Sequence, residues 1–170
     1  ALAPKVAFIT GALEQVLLAN PDLIIWADML PLADPEPLLN WVKAGGTLVR
    51  FAGPRLAAAN PVALREDPLL PVVLRQGGRQ LGGAMSWDQP KAIEPFALDG
   101  PFAGLTLPPD IRVRAQVLAQ PSPDLAARVI ARVQDGTPLI TRKEAGSGQI
   151  VFWHITANTD WSNLPLSGLF

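Results

Sequence analysis

The chain has 170 residues, of which 49% are hydrophobic and 17% are charged, and its formal net charge is -1. This length fits one domain with a sizeable core, and the apolar content excludes an intrinsically disordered chain. Cysteine is absent and His154 is the single histidine, which excludes disulfides, a cysteine nucleophile and a multi-histidine metal site. No basic stripe is present, so we expect no nucleic-acid partner.

The length of the apolar runs and the residues at the two ends of the sequence indicate how this chain relates to a membrane and to a longer protein. No apolar run reaches the roughly 18 residues that a membrane-spanning helix needs, so we expect no direct membrane insertion by this chain. The sequence opens at Ala1 without a methionine and stops within the apolar segment Pro165 to Phe170. We therefore expect one soluble domain, 1–170, that belongs to a longer parent protein.

The first part of the chain predicts strand and helix in alternation. Lys5 to Thr10 is a short apolar run that indicates a strand, and Gly11 to Asn20 carries apolar residues at helical spacing. Leu23 to Ala27 is a continuous apolar run, which is typical of a strand covered on both faces in a parallel sheet.

A second strand–helix–strand unit is predicted up to residue 59. Asp34 and Pro35 favour a helix start, Gly45-Gly46 favours a helix end, and Thr47 to Ala52 reads as the next strand. Arg55 to Ala59 indicates a short helix.

The middle of the chain, 60–109, is rich in Pro, Gly and turn residues, and we interpret it as an irregular, β-rich insertion. Its frequent apolar residues argue against a solvated linker. Short extended pieces are predicted at Val72 to Arg75, Ala84 to Trp87 and Ile93 to Phe96.

The last part of the chain predicts β-structure. Apolar residues alternate with polar ones from Ile111 to Val117, which indicates a half-buried strand. Asp135-Gly136 is a hairpin signal between Ala127 to Gln134 and Pro138 to Lys143. After a turn at 146–148, Gln149 to Ile155 is a strongly apolar strand.

Two segments resemble a known family. Pro21 to Gly53 resembles the "strand, Asp, helix, W-V-x-x-G-G-x-L-V" block of class I glutamine-amidotransferase-like domains, and Gly146 to Phe170 resembles their closing "G-x-G-x-V, strand, D-W-x-x-L-P" segment. The resemblance is greatest to the domains embedded in bacterial membrane proteins of the aerotolerance-regulator type. The trimerisation domain of bacterial β-galactosidases is a more distant look-alike.

This resemblance implies a flavodoxin-like α/β sandwich with a mainly parallel central sheet, within a membrane-anchored bacterial parent. It also implies a nucleophilic cysteine at a strand-to-helix elbow, where thiol and oxyanion donors meet the substrate carbonyl. The equivalent elbow here is Ala52-Gly53-Pro54-Arg55, without cysteine or serine. Pro54 lacks the N–H that an oxyanion hole would use. We therefore expect no glutaminase activity and no catalytic residue at this elbow.

Three polar residues are predicted near the carboxyl ends of the strands, where open α/β sheets bind ligands. Asp28 follows a strand and is either a ligand contact or a cap or turn residue before the next helix. Arg50 lies inside a strand and is expected to reach Asp28 if that strand pairs beside Leu23 to Ala27, in a pair that is structural or functional. The alternative for Arg50 is surface exposure on an edge strand. His154 is a candidate general base, with a hydrogen-bonded structural role as the commoner alternative.

A second group of candidate ligand- or partner-binding residues lies in loops. Arg55 belongs to the elbow, whereas a polar, aromatic loop after the last strand contains Asn158, Asp160, Trp161 and Ser162. The alternative for this loop is that Asp160 or Ser162 caps a C-terminal helix, which the sequence truncates. Trp87 and Trp161 are candidate interface anchors. Ser86 with His154 forms a weak hydrolase candidate because no G-x-S-x-G elbow surrounds Ser86.

The glycine pairs at 77–78 and 82–83 do not match a phosphate-binding loop, and we expect no cofactor and no bound metal. The sequence therefore favours a non-catalytic scaffold, ligand-sensing or protein-interaction module. Its expected partner is another protein or the rest of its own parent chain. The alternative is an enzyme of different chemistry that uses Asp28, Arg50 and His154.

Overall fold

A computed structural model describes residues 12–75 and 84–168. The helices are α1 (Leu13–Leu18), α2 (Glu36–Lys43), α3 (Pro54–Ala57), α4 (Pro61–Glu66) and α5 (Leu125–Arg128), with a 3-10 turn at Leu164–Leu166. The strands are β1 (Leu23–Ala27), β2 (Thr47–Phe51), β3 (Ala84–Lys91), β4 (Val113–Val117), β5 (Val129–Arg132), β6 (Pro138–Ala145) and β7 (Gly148–Trp153).

Five strands form one mixed sheet in the order β1-β2-β7-β6-β5, and β3 and β4 form a separate antiparallel pair. β1, β2 and β7 run parallel, whereas β6 and β5 are antiparallel additions. The hairpin from β6 to β7 needs only a short turn, which Gly146 makes with a φ of +61°. The parallel strands therefore come from distant parts of the chain, while the antiparallel ones are joined locally.

Helix α2 forms where the sequence predicts it. Asp34 Oδ1 accepts the Glu36 backbone N–H at 3.2 Å, and Lys43 lies at the negative end of the helix dipole. Leu38 and Val42 are fully buried four residues apart, on the face that packs against the sheet. α2 therefore joins β1 to β2 as the crossover of a parallel unit.

Side chains alternate between the two faces of the sheet, and the faces differ in their burial. Ile24, Leu48 and Ile150 align in register on the face that α2 covers. On the other face, Leu23 is 48% exposed and Ile25 is 63% exposed. The prediction that Leu23 to Ala27 is covered on both faces is therefore wrong, because the described helices α1 and α2 pack only on the face of β1 that carries Ile24.

The stretch predicted as irregular contains a helix that the sequence analysis missed. α4 begins after Asn60, whose side chain accepts the backbone N–H groups of Val62 and Ala63. Leu64 of this helix is buried in the core with Leu70, and the extended piece at residues 72–75 forms a bridge to residue 119. The extended piece predicted at Ala84 is longer than expected, since β3 continues to residue 91.

The strands predicted in the last part are present with later starts, since β4 begins at Val113, and residues 127–128 belong to α5, so that β5 begins at Val129. In β4, Val113 is buried and Arg114 is exposed, as the alternation predicts, but Gln116 is fully buried. The hairpin turn at Asp135-Gly136 is also confirmed, with a φ of +84° at Gly136.

The predicted strand Lys5 to Thr10 and the glycine pairs at 77–78 and 82–83 lie outside the described residues. Within the parts of the chain that are described, no helix has both the length and the apolar character to cross a membrane.

The contact between the turn at Gly148 and helix α2 gives a stability prediction. A Cβ at Gly148 would lie 2.1 Å from the Val42 carbonyl oxygen and 2.3 Å from that of Gly46, both of which are backbone atoms that cannot swing away. We expect Gly148→Ala to lower the free energy of unfolding by about 1–3 kcal/mol in urea titrations. Gly100→Ala, where the nearest atom is 3.4 Å away, is the control and should change it by less than about 1 kcal/mol.

Candidate functional site

Asp28 closes the elbow between β2 and α3. Its carboxylate accepts the backbone N–H of Leu56 at 2.9 Å and that of Arg55 at 3.2 Å, and its own N–H donates to the Phe51 carbonyl at 3.0 Å. These two N–H groups begin a helix and have no partner within it, so a carboxylate satisfies them well. Asp28 is therefore a capping residue, but it caps α3 and not α2, the next helix along the chain, where the sequence analysis placed this role.

The elbow leaves no room for a side chain at Gly53. A Cβ at that position would lie 2.2 Å from Asp28 Cγ and 2.4 Å from its Oδ1. Asp28 itself has a φ of +51°, in the left-handed region that Asp adopts more readily than most residues. The elbow is thus filled by a carboxylate from the neighbouring strand.

Arg50 does not pair with Asp28, and this prediction is wrong. The Arg50 side chain is 1% exposed and donates to Asp67 Oδ2 at 2.8 Å, to the Leu69 carbonyl at 2.9 Å and to the Met29 carbonyl at 3.2 Å. Its guanidinium also lies 5.0 Å from the ring centroid of Trp26. Arg50 projects from the helix-covered face of β2, where the segment after α4 supplies its counter-charge.

The segment 67–71 collects cations from three different elements. Besides Arg50, Lys143 on β6 donates to the carbonyls of Pro68 and Leu70, the latter at 2.8 Å, and Arg128 on α5 donates to the Pro71 carbonyl. Burial lowers the pKa of Lys143, and the nearby positive charge of Arg128 lowers it further. Charged donors therefore satisfy backbone carbonyls that a segment without regular structure would otherwise leave buried and unpaired.

His154 is buried and both of its ring nitrogens are occupied. Nδ1 lies 2.9 Å from the Val117 carbonyl, which only accepts, so Nδ1 carries the proton. Nε2 then accepts from the Thr141 hydroxyl at 3.1 Å. Burial lowers the pKa of His154 to about 4, against the smaller opposing effect of the hydrogen bond to Val117. The neutral imidazole joins β7 to β4 and β6 as a structural cross-link.

The loop after β7 is organised mainly by its own hydrogen bonds. Asn158 Nδ2 donates to Asp160 Oδ2 at 2.9 Å, and the Asp160 N–H donates back to Asn158 Oδ1 at 3.1 Å. The Trp161 carbonyl accepts the Arg114 N–H at 2.7 Å, which ties the loop to β4. Trp161 is half-buried against two core clusters. In place of the predicted C-terminal helix, a single 3-10 turn follows, and Ser162 Oγ accepts the Leu164 N–H at 3.4 Å.

The predicted residues thus fall into four separate environments. Asp28 and Arg55 share the elbow, Arg50 and His154 are buried in separate hydrogen-bond networks, and the Asn158 loop lies beside β4. Arg55 is reached through its backbone, and its side chain is exposed. Across the described residues, no group of three acidic or histidine side chains could hold a metal ion.

A groove that the sequence analysis missed has two walls. One wall consists of α4 and the segment 67–73, and the other is the segment 120–128. The groove has a volume of about 240 Å³, and its charged lining residues are Arg65, Asp67, Asp124 and Arg128. Arg128 and Asp124 pair at 2.6 Å across one turn. The two cations and two anions balance, so the groove carries no strong preference for an ion of either sign. The only sequence signal was an Asp within an otherwise apolar stretch, Asp67 in Asp67-Pro68-Leu69-Leu70.

The buried imidazole predicts a loss of stability in acid. The pKa of His154 is about 4 in the folded chain and about 6.5 when unfolded, so between these values the unfolded state binds the proton. Its contribution is complete above about pH 6.5, falls by up to about 3 kcal/mol on acidification, and is constant below about pH 4. Unfolding at a series of pH values should show this slope in the wild type. His154→Gln should lack that component, and an equal slope in both proteins would contradict the assignment.

The Arg50–Asp67 pair predicts strong non-additivity. Asp67→Ala leaves a buried guanidinium without its counter-charge, and we expect it to cost about 3–5 kcal/mol of unfolding free energy. The double variant Arg50→Met, Asp67→Leu should cost less than either single change. Lys91→Met, which removes one partner of a half-exposed pair, is the control and should cost less than about 1 kcal/mol. Additive effects in urea titrations would show that the pair is not coupled.

Comparisons with known proteins bear on the fold. No protein-family model matches the sequence, and no curated protein matches it significantly. Among solved structures, the chain is similar to the cytoplasmic protein STM3548 from Salmonella typhimurium, with a TM-score of 0.64 and 17% identity over 92% of this chain and 68% of that chain. It is also similar to the cytoplasmic protein STM1381 from Salmonella typhimurium LT2, with a TM-score of 0.60 and 14% identity over 88% of this chain and 66% of that one.

A third similar structure is the cold-adapted β-galactosidase from Rahnella sp. R3, with a TM-score of 0.53 and 18% identity over 78% of this chain and 20% of the enzyme. The chain spans about two thirds of the length of the two Salmonella proteins and a fifth of the β-galactosidase. At these levels of identity, the comparisons show a shared mixed α/β fold and nothing about activity.

Proposed function

We propose that this chain is a non-catalytic, amidotransferase-like α/β domain that serves as a scaffold or protein-interaction module of a larger protein. The observation that carries the proposal is the elbow at Gly53, which the Asp28 carboxylate fills. In the enzymes that the sequence resembles, this position holds the nucleophile and the donors that stabilise an oxyanion.

Electrostatics at the elbow argues against acyl-transfer chemistry. The N–H groups of Arg55 and Leu56 already bind a carboxylate, so a developing oxyanion would have to displace an anion that is attached to the neighbouring strand. A nucleophilic side chain introduced at Gly53 would also collide with Asp28 Cγ at 2.2 Å. Both the charge and the space of the elbow therefore favour a structural role.

The alternative, an enzyme that uses Asp28, Arg50 and His154, has less support. The three side chains do not converge, since Arg50 is held by Asp67 and His154 by Thr141 and the Val117 carbonyl. A neutral, fully buried imidazole has no free lone pair within reach of a substrate. Ser86 is likewise exposed on β3, whereas His154 is buried and occupied.

The finer parts of the proposal concern the fold family and the parent protein. The parallel strands β1, β2 and β7 with the α2 crossover support a flavodoxin-like relationship, and the antiparallel β6 and β5 depart from it. The segments Pro21 to Gly53 and Gly146 to Phe170 support a place within a membrane-anchored bacterial protein. The exposed side chains of β1 favour protein interaction over ligand sensing.

The proposal predicts that the elbow contributes stability without activity. We expect no ammonia release from glutamine and no ester hydrolysis above the buffer rate by the purified chain. Asp28→Ala should lower the free energy of unfolding by about 1–2 kcal/mol, because two helix N–H groups lose their acceptor. Asp88→Ala, at an exposed position on β3, is the control and should change it by less than about 0.5 kcal/mol. Turnover that Asp28→Ala abolishes in a folded protein would contradict the proposal.

A further inference from the structure

The face of the main sheet that α2 does not cover, called the open face below, carries two neighbouring rows of side chains across four strands. Register places these rows side by side. The Ile25 row consists of Ile25, Val49, Val151 and Arg142, and the Leu23 row consists of Leu23, Thr47, Gln149 and Glu144.

Apolar side chains on the open face are exposed where parallel strands are normally covered. Ile25 is 63% exposed and Leu23 is 48% exposed, while Val49 and Val151 are half-buried. All-parallel sheets occur almost only with both faces covered, and the exposed side chains lie on β1, in the parallel part of this mixed sheet. The exposed band therefore indicates a surface that another molecule covers.

Each row ends in a charge, and the two charges are opposite. Arg142 and Glu144 lie two residues apart on β6, so both project onto the open face. Neither forms a salt bridge within the part of the chain that the structure describes. One patch therefore holds an apolar band and both members of a charge pair.

We infer that the open face binds the open face of a second copy of this chain, with a two-fold axis between the two rows and the strands of the copies antiparallel. This inference rests on the proposed role as a protein-interaction module and names its partner. The axis places the Ile25 row of each copy over the Leu23 row of the other. Arg142 of each copy then lies against Glu144 of the other, which gives two equivalent ion pairs. An isologous interface requires this kind of self-complementarity.

A bulky segment at one end of the open face favours the antiparallel arrangement. Phe102 packs edge-on against Trp153 at a centroid distance of 6.2 Å, and Phe96 packs on Phe102 at 4.9 Å. This aromatic cover lies at the carboxyl end of β7. Two copies with parallel strands would bring these covers into collision. The antiparallel arrangement moves each one past the amino end of the other sheet.

The size of the patch predicts a weak dimer. The two rows span four strands about 4.8 Å apart and three residues at about 3.3 Å each, which is roughly 200 Å² of sheet plane per copy. Stable complexes bury about 800 Å² per partner. We therefore expect association at high concentration, with a dissociation constant in the upper micromolar range of roughly 100 µM or more.

Sedimentation velocity of the 170-residue chain, from about 10 µM to about 1 mM, tests the inference. The average mass should rise from 18.1 kDa toward twice that value. Ile25→Asp should raise the dissociation constant at least about tenfold, because it replaces the most exposed apolar side chain of the band with a charge. Val62→Asp is the matched control, since Val62 is 58% exposed on α4 at the opposite side of the sheet, and it should associate like the wild type.

Exchanging the charges of Arg142 and Glu144 distinguishes specific self-association from nonspecific association. Arg142→Glu should weaken association about fivefold, because it places two acidic side chains against each other. Arg142→Glu combined with Glu144→Arg should restore association, because the two ion pairs form again with their charges exchanged. Circular dichroism establishes that each variant is folded. A chain that stays monomeric to about 1 mM, or an Ile25→Asp variant that associates like the wild type, overturns the dimer. The non-catalytic role stands or falls separately, on the turnover assays.

Discussion

The buried ion pair of Arg50 and Asp67 is the constraint on which the rest of the structure depends. A charged residue in the middle of a central strand is costly unless a counter-charge and further acceptors surround it. Asp67 and the carbonyls of Leu69 and Met29 meet that requirement, and in doing so they hold the segment after α4 against the sheet. The core residues of that segment, including Leu70, then cover the helix side of β2 and β7. The contacts of Arg50 thus hold β2 and the segment after α4 together.

At the elbow, the Asp28 carboxylate occupies the position that the anion of a substrate would take in an enzyme. The helix start at Arg55 offers N–H groups that could bind a substrate oxyanion, and Asp28 from the neighbouring strand occupies them. The left-handed backbone of Asp28 directs its carboxylate into the space that only Gly53 leaves open. Stability and reactivity compete for the same donors at this position, and the contacts of Asp28 favour stability.

The two faces of the sheet differ in how far they are buried. On the covered face, helices and the 67–71 segment satisfy charges and bury apolar groups. On the open face, Leu23 and Ile25 remain exposed, and Arg142 and Glu144 form no salt bridge with any residue in 12–75 or 84–168.

The sequence by itself determined the local structure and the absence of a cysteine nucleophile. The strand at 23–27, the helix after Asp34 and the hairpin at Asp135-Gly136 follow from hydrophobic period, capping and turn residues, which act over a few positions. Only the tertiary structure decided that Arg50 pairs with Asp67 instead of Asp28, that His154 is buried, and that β1 has an exposed face. Those outcomes depend on which distant segments pack together, and a burial pattern along a single strand does not encode the identity of its neighbours.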